Sequence, residues 1–506
     1  MEDLQLTIEL KKADTLRDLF PKEGIYNHVS LKIIGRFGDD DIRFLSGYSS
    51  DYYIDEDIAE VFYYPQDLRW KTIDLDLSEI KPEDLRIRSL NEIKALRSII
   101  LPIGYESVEW CLYCGEANGT TSSLVVSEGT KTIDKDSFYG WEMLKNVRLP
   151  SKLEKIPPGA FVGCNLLQSF EFPEGSEHFM ICDGVLFSPD KTILIAFPPG
   201  LEIEKYEIPQ ETTLIAERAF KQNPFIKEIT IPKTLVNIQA YAFEACSSLE
   251  KIEVDSANPI YYSKDGILFE RSRAVLIPRE DINCNRHSNV MICIPAAFDR
   301  PRIRIKESFL EAKCFSGCKN IKTIIYDCGF YSHRIDGAFD NCPEIEEISL
   351  TNVEILPRLI DCQKLKKLNI EGKFLGDLDD AIVRNEEVKE VNIKNCSDYY
   401  TIDGVVFNKD HELIYYPPAK EDKKYVVPKD TLAIGFWVFN HNPHLRTVVL
   451  PSSFDLRKLK EEWLIDDDSD NDQSFTYHPF CEADVIICLD GGKDTSTSED
   501  EEGTHR

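Results

Sequence analysis

Apolar and polar positions along this chain follow a pattern that returns at a fixed interval. In "IPPGAFVGCNLLQSFEFP", with Phe161 as position zero, Cys164 stands at +3, Leu167 at +6, Phe170 at +9, Phe172 at +11 and Pro173 at +12. One period earlier, "IDKDSFYGWEMLKNVRLP" sets Phe138, Trp141, Leu144, Val147, Leu149 and Pro150 at the same offsets. Further copies anchor on Phe220, Phe243, Phe315, Phe339 and Phe439, and Leu359 and Ile382 take the anchor in two more, nine copies altogether. "LRSIILP", 96–102, reads as the strand half of an earlier copy.

Each copy predicts one coil of a solenoid. Apolar side chains at offsets +9 and +11, on either side of a variable one, give the period-2 signature of a short strand buried on one face. Proline at +12 ends it, because proline cannot donate to a continuing ladder. The anchor and the side chain at +6 point into the same core from the other side. One coil cannot close a core, so coils must stack and cover one another. The +3 column reads Trp141, Cys164, Asn223, Cys246, Cys318, Cys342, Cys362, Asn385 and Asn442. A small side chain that hydrogen-bonds backbone groups suits a turn there. Five of the 15 cysteines are thereby explained; the rest lack a disulfide framework and read as free, mostly buried thiols.

Residues 1–94 depart from the period and read as an α/β N-terminal capping region, with helices at "ADTLRDLF" and "DDDIRFL" and strands at "VSLKIIG" and "TIDLDLS". Residues 95–451 form the repeat array, interrupted by predicted β-hairpin inserts near 183–200, 265–280 and 403–420, each opening on Asp-Gly and placed on one edge of the coils. The stretch 279–305 resists assignment. Residues 452–489 form a C-terminal capping segment whose "EADVIICLD" supplies a last strand, and the polar, acidic 490–506 predicts disorder.

The spelling I-x-x-x-A-F-x-x-C-x-x-L-x-x-I-x-I-P, fullest at Ile156–Pro173, Ile215–Pro232 and Ile238–Asp255, resembles the BspA-like leucine-rich repeats. The D-G-[VI]-[LV]-F stretches resemble inserts of bacterial members, and the lead-in resembles the segment preceding the repeats in gut-bacterial members. The expected fold is therefore an α/β repeat solenoid, a right-handed leucine-rich-repeat superhelix of about 23-residue coils. The resemblance implies binding of proteins, and for some members adhesion to host matrix at the cell surface. No basic, apolar export leader opens the sequence, so the expected compartment is the cytoplasm, or the cell surface if a leader was removed.

Composition narrows the partner. A formal charge of −30 disfavours nucleic acid and anionic membranes, and no apolar run is long enough to span a bilayer. No P-loop, nucleophile elbow, HExxH or dinucleotide fingerprint is present, so the expectation is a non-enzymatic protein binder without cofactor. The alternatives are a surface adhesin, and a metal-binding or hydrolytic protein using His441, His444, His478 and Cys481 near the C-terminus. Those four have zinc-ligand chemistry, but both histidines of "HNPH" also fit ordinary loop positions. "CLYC", Cys111–Cys114, lacks a second pair, and "DDDSDND", 466–472, lacks the glycine and the terminal acid of a calcium loop. The candidate partner face is the outward side of the strands: at +10, Arg148, Glu171, Thr230, Glu253, Ile325, Ser349, Asn369, Asn392 and Val449, together with the side chains beside them at +8.

Overall fold

Each +9 side chain lies inside a short strand and is sealed in the core. Val147, Phe170, Ile229, Ile252, Ile324, Ile348, Leu368, Val391 and Val448 are all 3 % exposed or less, as a strand with one buried face demands. These strands belong to a computed structural model. It describes residues 2–454 except 23, 47, 56–59, 66–69, 82–84, 87–92, 94, 103–106, 109–120, 136, 139–140, 275–286, 307, 328–334, 336, 340–341, 354, 360–361, 375–377, 379–384, 436–437, 440–441 and 453, and beyond them 486–489. It divides into two compact units, Met1–Arg271 with Ile292–Phe298 and Ser272–Met291 with Asp299–Arg506.

In the first unit, seven strands stand side by side: Glu2–Leu10, Tyr26–Gly35, Trp70–Glu79, Leu96–Ile100, Ser123–Val125, Asn146–Arg148 and Ser169–Glu171. All pairings are parallel, and the register advances one coil at a time, Leu124 to Val147 to Phe170. The ladder crosses residue 94 unbroken, since Leu75 pairs with Ile99. A one-turn helix, Leu16–Leu19, and a second helix, Asp39–Leu45, lie near its beginning. Asp41, 1 % exposed, ties them together by accepting backbone N–H bonds from Leu16 at 2.7 Å and Asp14 at 2.9 Å. Further along, Lys205–Glu207, Glu228–Ile231 and Lys251–Val254 form a second parallel ladder, with Tyr206, Ile229 and Ile252 in register. Ile193–Ala196, Leu214–Ile215 and Asn237–Ile238 form a parallel ladder of their own.

The expected α/β character of the coils is corrected: this is a β-solenoid whose spacing is about 23 positions per coil, and the described residues hold almost no helix. The anchor segment explains why. Residues two before and two after the anchor adopt left-handed backbone, as at Gly159 and Gly163 (φ 73° and 87°), Arg218 and Gln222 (58° and 66°), and Tyr241 and Ala245 (60° and 58°). Alternating backbone handedness cannot wind an α-helix. It aims successive N–H groups at the next coil, so that Arg218, Phe220 and Gln222 donate to the carbonyls of Ala240, Ala242 and Glu244. The anchor rings then stack: Phe138 on Phe161 at 5.3 Å, Phe220 on Phe243 at 5.4 Å, and Phe315 on Phe339 at 5.3 Å.

The three Asp-Gly pairs, Asp183–Gly184, Asp265–Gly266 and Asp403–Gly404, each have both φ angles positive, between 49° and 82°. That backbone joins antiparallel neighbours tightly, and Cys182 pairs with Val185, Lys264 with Ile267 and Ile402 with Val405. Two of these stretches join the coil columns. Phe197 stacks on Phe220 at 4.9 Å and Tyr416 packs on Phe439 at 5.3 Å. Each stands one full period before its partner, so each supplies an anchor of its own.

The second unit is built around five parallel strands, Arg302–Lys306, Thr323–Asp327, Glu347–Thr351, Lys367–Glu371 and Glu390–Lys394. The first belongs to the stretch left unassigned from sequence. Lys424–Val426, Thr447–Leu450 and Ile486–Leu489 make another parallel ladder. Residues 490–506 lie outside the described residues.

Candidate protein-binding face

The turn column fixes the strands that display the face. Where the preceding coil is regular, a +3 cysteine donates its S–H to the anchor carbonyl of that coil: Cys164 to Phe138 at 3.2 Å, Cys246 to Phe220 at 3.0 Å, Cys342 to Phe315 at 3.4 Å and Cys362 to Phe339 at 3.3 Å. Asn385 does the same with its amide, reaching the Leu359 carbonyl at 2.9 Å. After the Asp-Gly stretches the demand is greater and asparagine meets it. Asn223 donates to the carbonyls of Pro198, Pro199 and Leu201, and accepts from the N–H groups of Phe225 and Ile226. Asn442 likewise serves Pro417, Lys420, His444 and Leu445. The described cysteines form no disulfide, and burial raises the pKa of Cys246 and Cys342 and lifts that of Cys293 to about 12. So shifted, these three thiols stay protonated near neutral pH.

On the outward face the side chains at +8 and +10 bond mainly to one another. In the first unit Glu228 accepts from Lys205 at 3.0 Å and Lys251 at 2.9 Å, and Lys251 also reaches Glu253 at 2.8 Å. Lys251, then Lys205, hold the Glu228 carboxyl below its ordinary value. Ser169 donates to Asn146 at 2.7 Å. Nearer the N-terminus His28, Thr72, Asp74 and Arg97 form a cross-strand network. His28 Nδ1 lies 3.0 Å from Thr72 Oγ1 and Nε2 3.2 Å from Asp74, whose carboxylate is forked by Arg97. Burial pushes the Asp74 carboxyl up, but Arg97 and Ser98, with His28, together outweigh it and the net shift is down. The arrangement stitches three strands together on an open face.

In the second unit an amide ladder crosses the sheet. Asn392 donates to Asn369 at 3.0 Å and Glu390 at 2.7 Å, and Asn369 donates to Glu347 at 2.8 Å and Ser349 at 3.0 Å. Lys367 bridges Glu390 at 3.1 Å. On the first strand Arg302, Arg304 and Lys306 are exposed, opposite the buried Ile303 and Ile305. Sequence reasoning missed these cations although the signal, R-I-R-I-K at period 2, was present.

Of the side chains at +10, Arg148, Glu171 and Glu253 are exposed, and Thr230, Ile325, Ser349, Asn369 and Asn392 are half-buried on the same side of their strands. Val449 is a correction: it is only 9 % exposed, and its strand is paired on both sides, with Lys424–Val426 and Ile486–Leu489. Of the four metal candidates only His444 is among the described residues. His444 is an exposed loop residue, and His441, His478 and Cys481 lie outside the described residues, as do Cys111, Cys114 and 466–472. Among the described residues no group of three or more potential metal ligands is assembled, and no helix is long and apolar enough to cross a membrane.

Comparison with known families matches residues 61–183, 195–265 and 302–414, in six copies, to the BspA type leucine-rich repeat region. The chain belongs to that family. Among solved structures it is similar to a leucine-rich cell surface protein from Faecalibacterium prausnitzii, at 18 % identity and a TM-score of 0.36 over 70 % of this chain and 83 % of that one. It is also similar to a leucine-rich repeat protein from Bacteroides ovatus, at 13 % identity and a TM-score of 0.28 over 87 % and 97 %. A third, from Eubacterium ventriosum, shows 11 % identity and a TM-score of 0.31 over 76 % and 87 %. No curated protein matches. The repeat scaffold of this BspA-type protein is of a kind typical of protein-binding surface proteins.

Proposed function

We propose that the chain is a non-catalytic protein-binding scaffold that engages its partner with the outward strand face, flanked by the Asp-Gly hairpins. In this reading residues 1–94 act as the N-terminal cap of the coils and 452–489 as the C-terminal capping segment. The amide ladder of the second unit is the observation that supports the reading. Its side chains are tethered by neighbours across the strands, so little rotamer entropy is lost when a partner lands on them. Five strands at about 4.8 Å spacing offer a platform roughly 19 Å across, and flat, open strand faces are what repeat proteins commonly present to partners.

The test is site-specific photo-crosslinking in the full chain, with a benzophenone side chain placed at Ser349, Asn369 or Asn392, and at the exposed turn residue Gln363 as control. Face positions are expected to capture a protein of discrete mass and Gln363 to capture none. Equal capture at all four, or capture at Gln363 alone, contradicts the reading. Replacing Asn369 and Asn392 by arginine is expected to weaken capture about tenfold or more while leaving the melting temperature unchanged.

A further inference from the structure

Arg302 and Arg304 of the second unit stand out against a chain with 89 acidic and 59 basic residues. Ile303 and Ile305, 8 % and 4 % exposed, anchor the strand Arg302–Lys306 to the core, so its alternate residues project outward and are exposed. The adjacent strand sets Thr323 opposite Arg302 and Ile325 opposite Arg304, and Ser349 follows beside Ile325 on the third strand. On that adjacent strand no acid stands directly across from either arginine. The nearest acid in the third strand, Glu347, accepts from Asn369 at 2.8 Å, on the far side of its own strand. Among the described residues neither guanidinium makes an ion pair, in contrast to Lys205, Lys251 and Lys367 on the same kind of face.

We propose that this corner takes an extended acidic peptide segment of a protein partner, with carboxylates on alternate residues meeting Arg302 and Arg304 and an apolar side chain laid over Ile325. The proposal rests on the reading of the strand face as the binding face. Alternate residues of a strand stand about 6.7 Å apart, and an extended peptide presents its own alternate side chains at the same pitch. A guanidinium forks a carboxylate through two parallel N–H bonds, which makes the match geometric as well as electrostatic. Thr323, directly across from Arg302, offers a hydroxyl that can donate to a carboxylate's remaining lone pairs. Dense polyanions fit less well, because a chain of net charge −30 repels them in proportion to their charge. A peptide with two or three carboxylates experiences the local cations without that opposition.

The experiment is fluorescence anisotropy with the full chain and a labelled nonapeptide in which glutamate alternates with valine and threonine. Its isomer, with the same glutamates contiguous, is the comparison. The alternating peptide is expected to bind, the contiguous isomer to bind about fivefold more weakly, and the double variant R302Q/R304Q to lose about tenfold or more of the affinity. The variant K152Q, altering an exposed turn cation of the first unit away from the strand face, is expected to bind as the parent does. Equal binding of the two isomers, unchanged binding by R302Q/R304Q, or displacement of the peptide by a sulfated oligosaccharide or single-stranded DNA at lower concentration than unlabelled peptide overturns the proposal. Failure of the peptide while photo-crosslinks at Ser349 and Asn369 persist overturns this inference and leaves the binding face standing. Peptide binding without crosslinks overturns the broader reading instead.

Discussion

At the scale of single residues, asparagine takes the place of cysteine at 223 and 442 because more than one carbonyl must be satisfied there, whereas Asn385 serves a single anchor carbonyl as a cysteine would. A thiol has one weak donor, enough for the anchor carbonyl of a regular coil. Asn223 is fully buried and serves five backbone groups, three carbonyls and two N–H groups. Replacing it by alanine orphans several at once and is expected to cost about 2–4 kcal/mol, against about 1–2 kcal/mol for Cys246→Ala, read from chemical denaturation midpoints. Equal costs would contradict this account. Gly159→Ala is expected to cost about 1–2 kcal/mol, because φ is +73° and a Cβ would meet the Arg218 Cδ at 3.1 Å. The column itself was readable from the +3 spacing. The need for asparagine at 223 and 442 was not, since it depends on the "PPG" and "PPA" stretches one coil upstream, whose carbonyls need a second donor.

At the scale of elements, strand positions followed from period-2 alternation, and the Asp-Gly turns from a residue pair that readily adopts two successive positive φ angles. The anchor segments were harder to read. Phe161 and Cys164 stand three apart, a spacing that fits a helical turn as well as a corner, and only the left-handed backbone at Gly159 and Gly163 decides for the corner. The strand Arg302–Lys306 was missed because no anchor of the repeat spelling precedes it, so its alternation went unweighed. Phe220 sits between Phe197 and Phe243 in the ring column; Phe220→Ala is expected to cost about 3–5 kcal/mol in thermal unfolding. In the turn between Ser188 and Thr192, the Ser188 hydroxyl and then Thr192 hold the Asp190 carboxyl at about 2, below its usual 3.8. Because the folded value is depressed, this contribution to stability is present above the usual value and is lost as the pH falls from about 3.8 toward 2. An NMR titration of Asp190 is expected to show that midpoint, and one near 3.8 would show the turn to be open.

At the scale of the whole molecule, net charge and local pairing act in opposite directions. The formal charge of −30 repels itself, while cross-strand pairs such as Lys322–Glu346–Lys366 and Lys364–Glu344 attract. Exposed pairs contribute little each, so self-repulsion dominates, and raising sodium chloride from about 0.05 to 0.5 M is expected to raise the melting temperature. A fall would mean that the ion-pair ladders outweigh it. The most direct test of the stacked-coil account is differential alkylation read by mass spectrometry. In the native protein Cys164, Cys246, Cys318, Cys342 and Cys362 are expected to stay unmodified. In denaturant without reductant all five are expected to react fully. Labelling of these thiols in the folded protein, or their failure to react in denaturant because they are paired as disulfides, would contradict a chain wound into coils that seal one another.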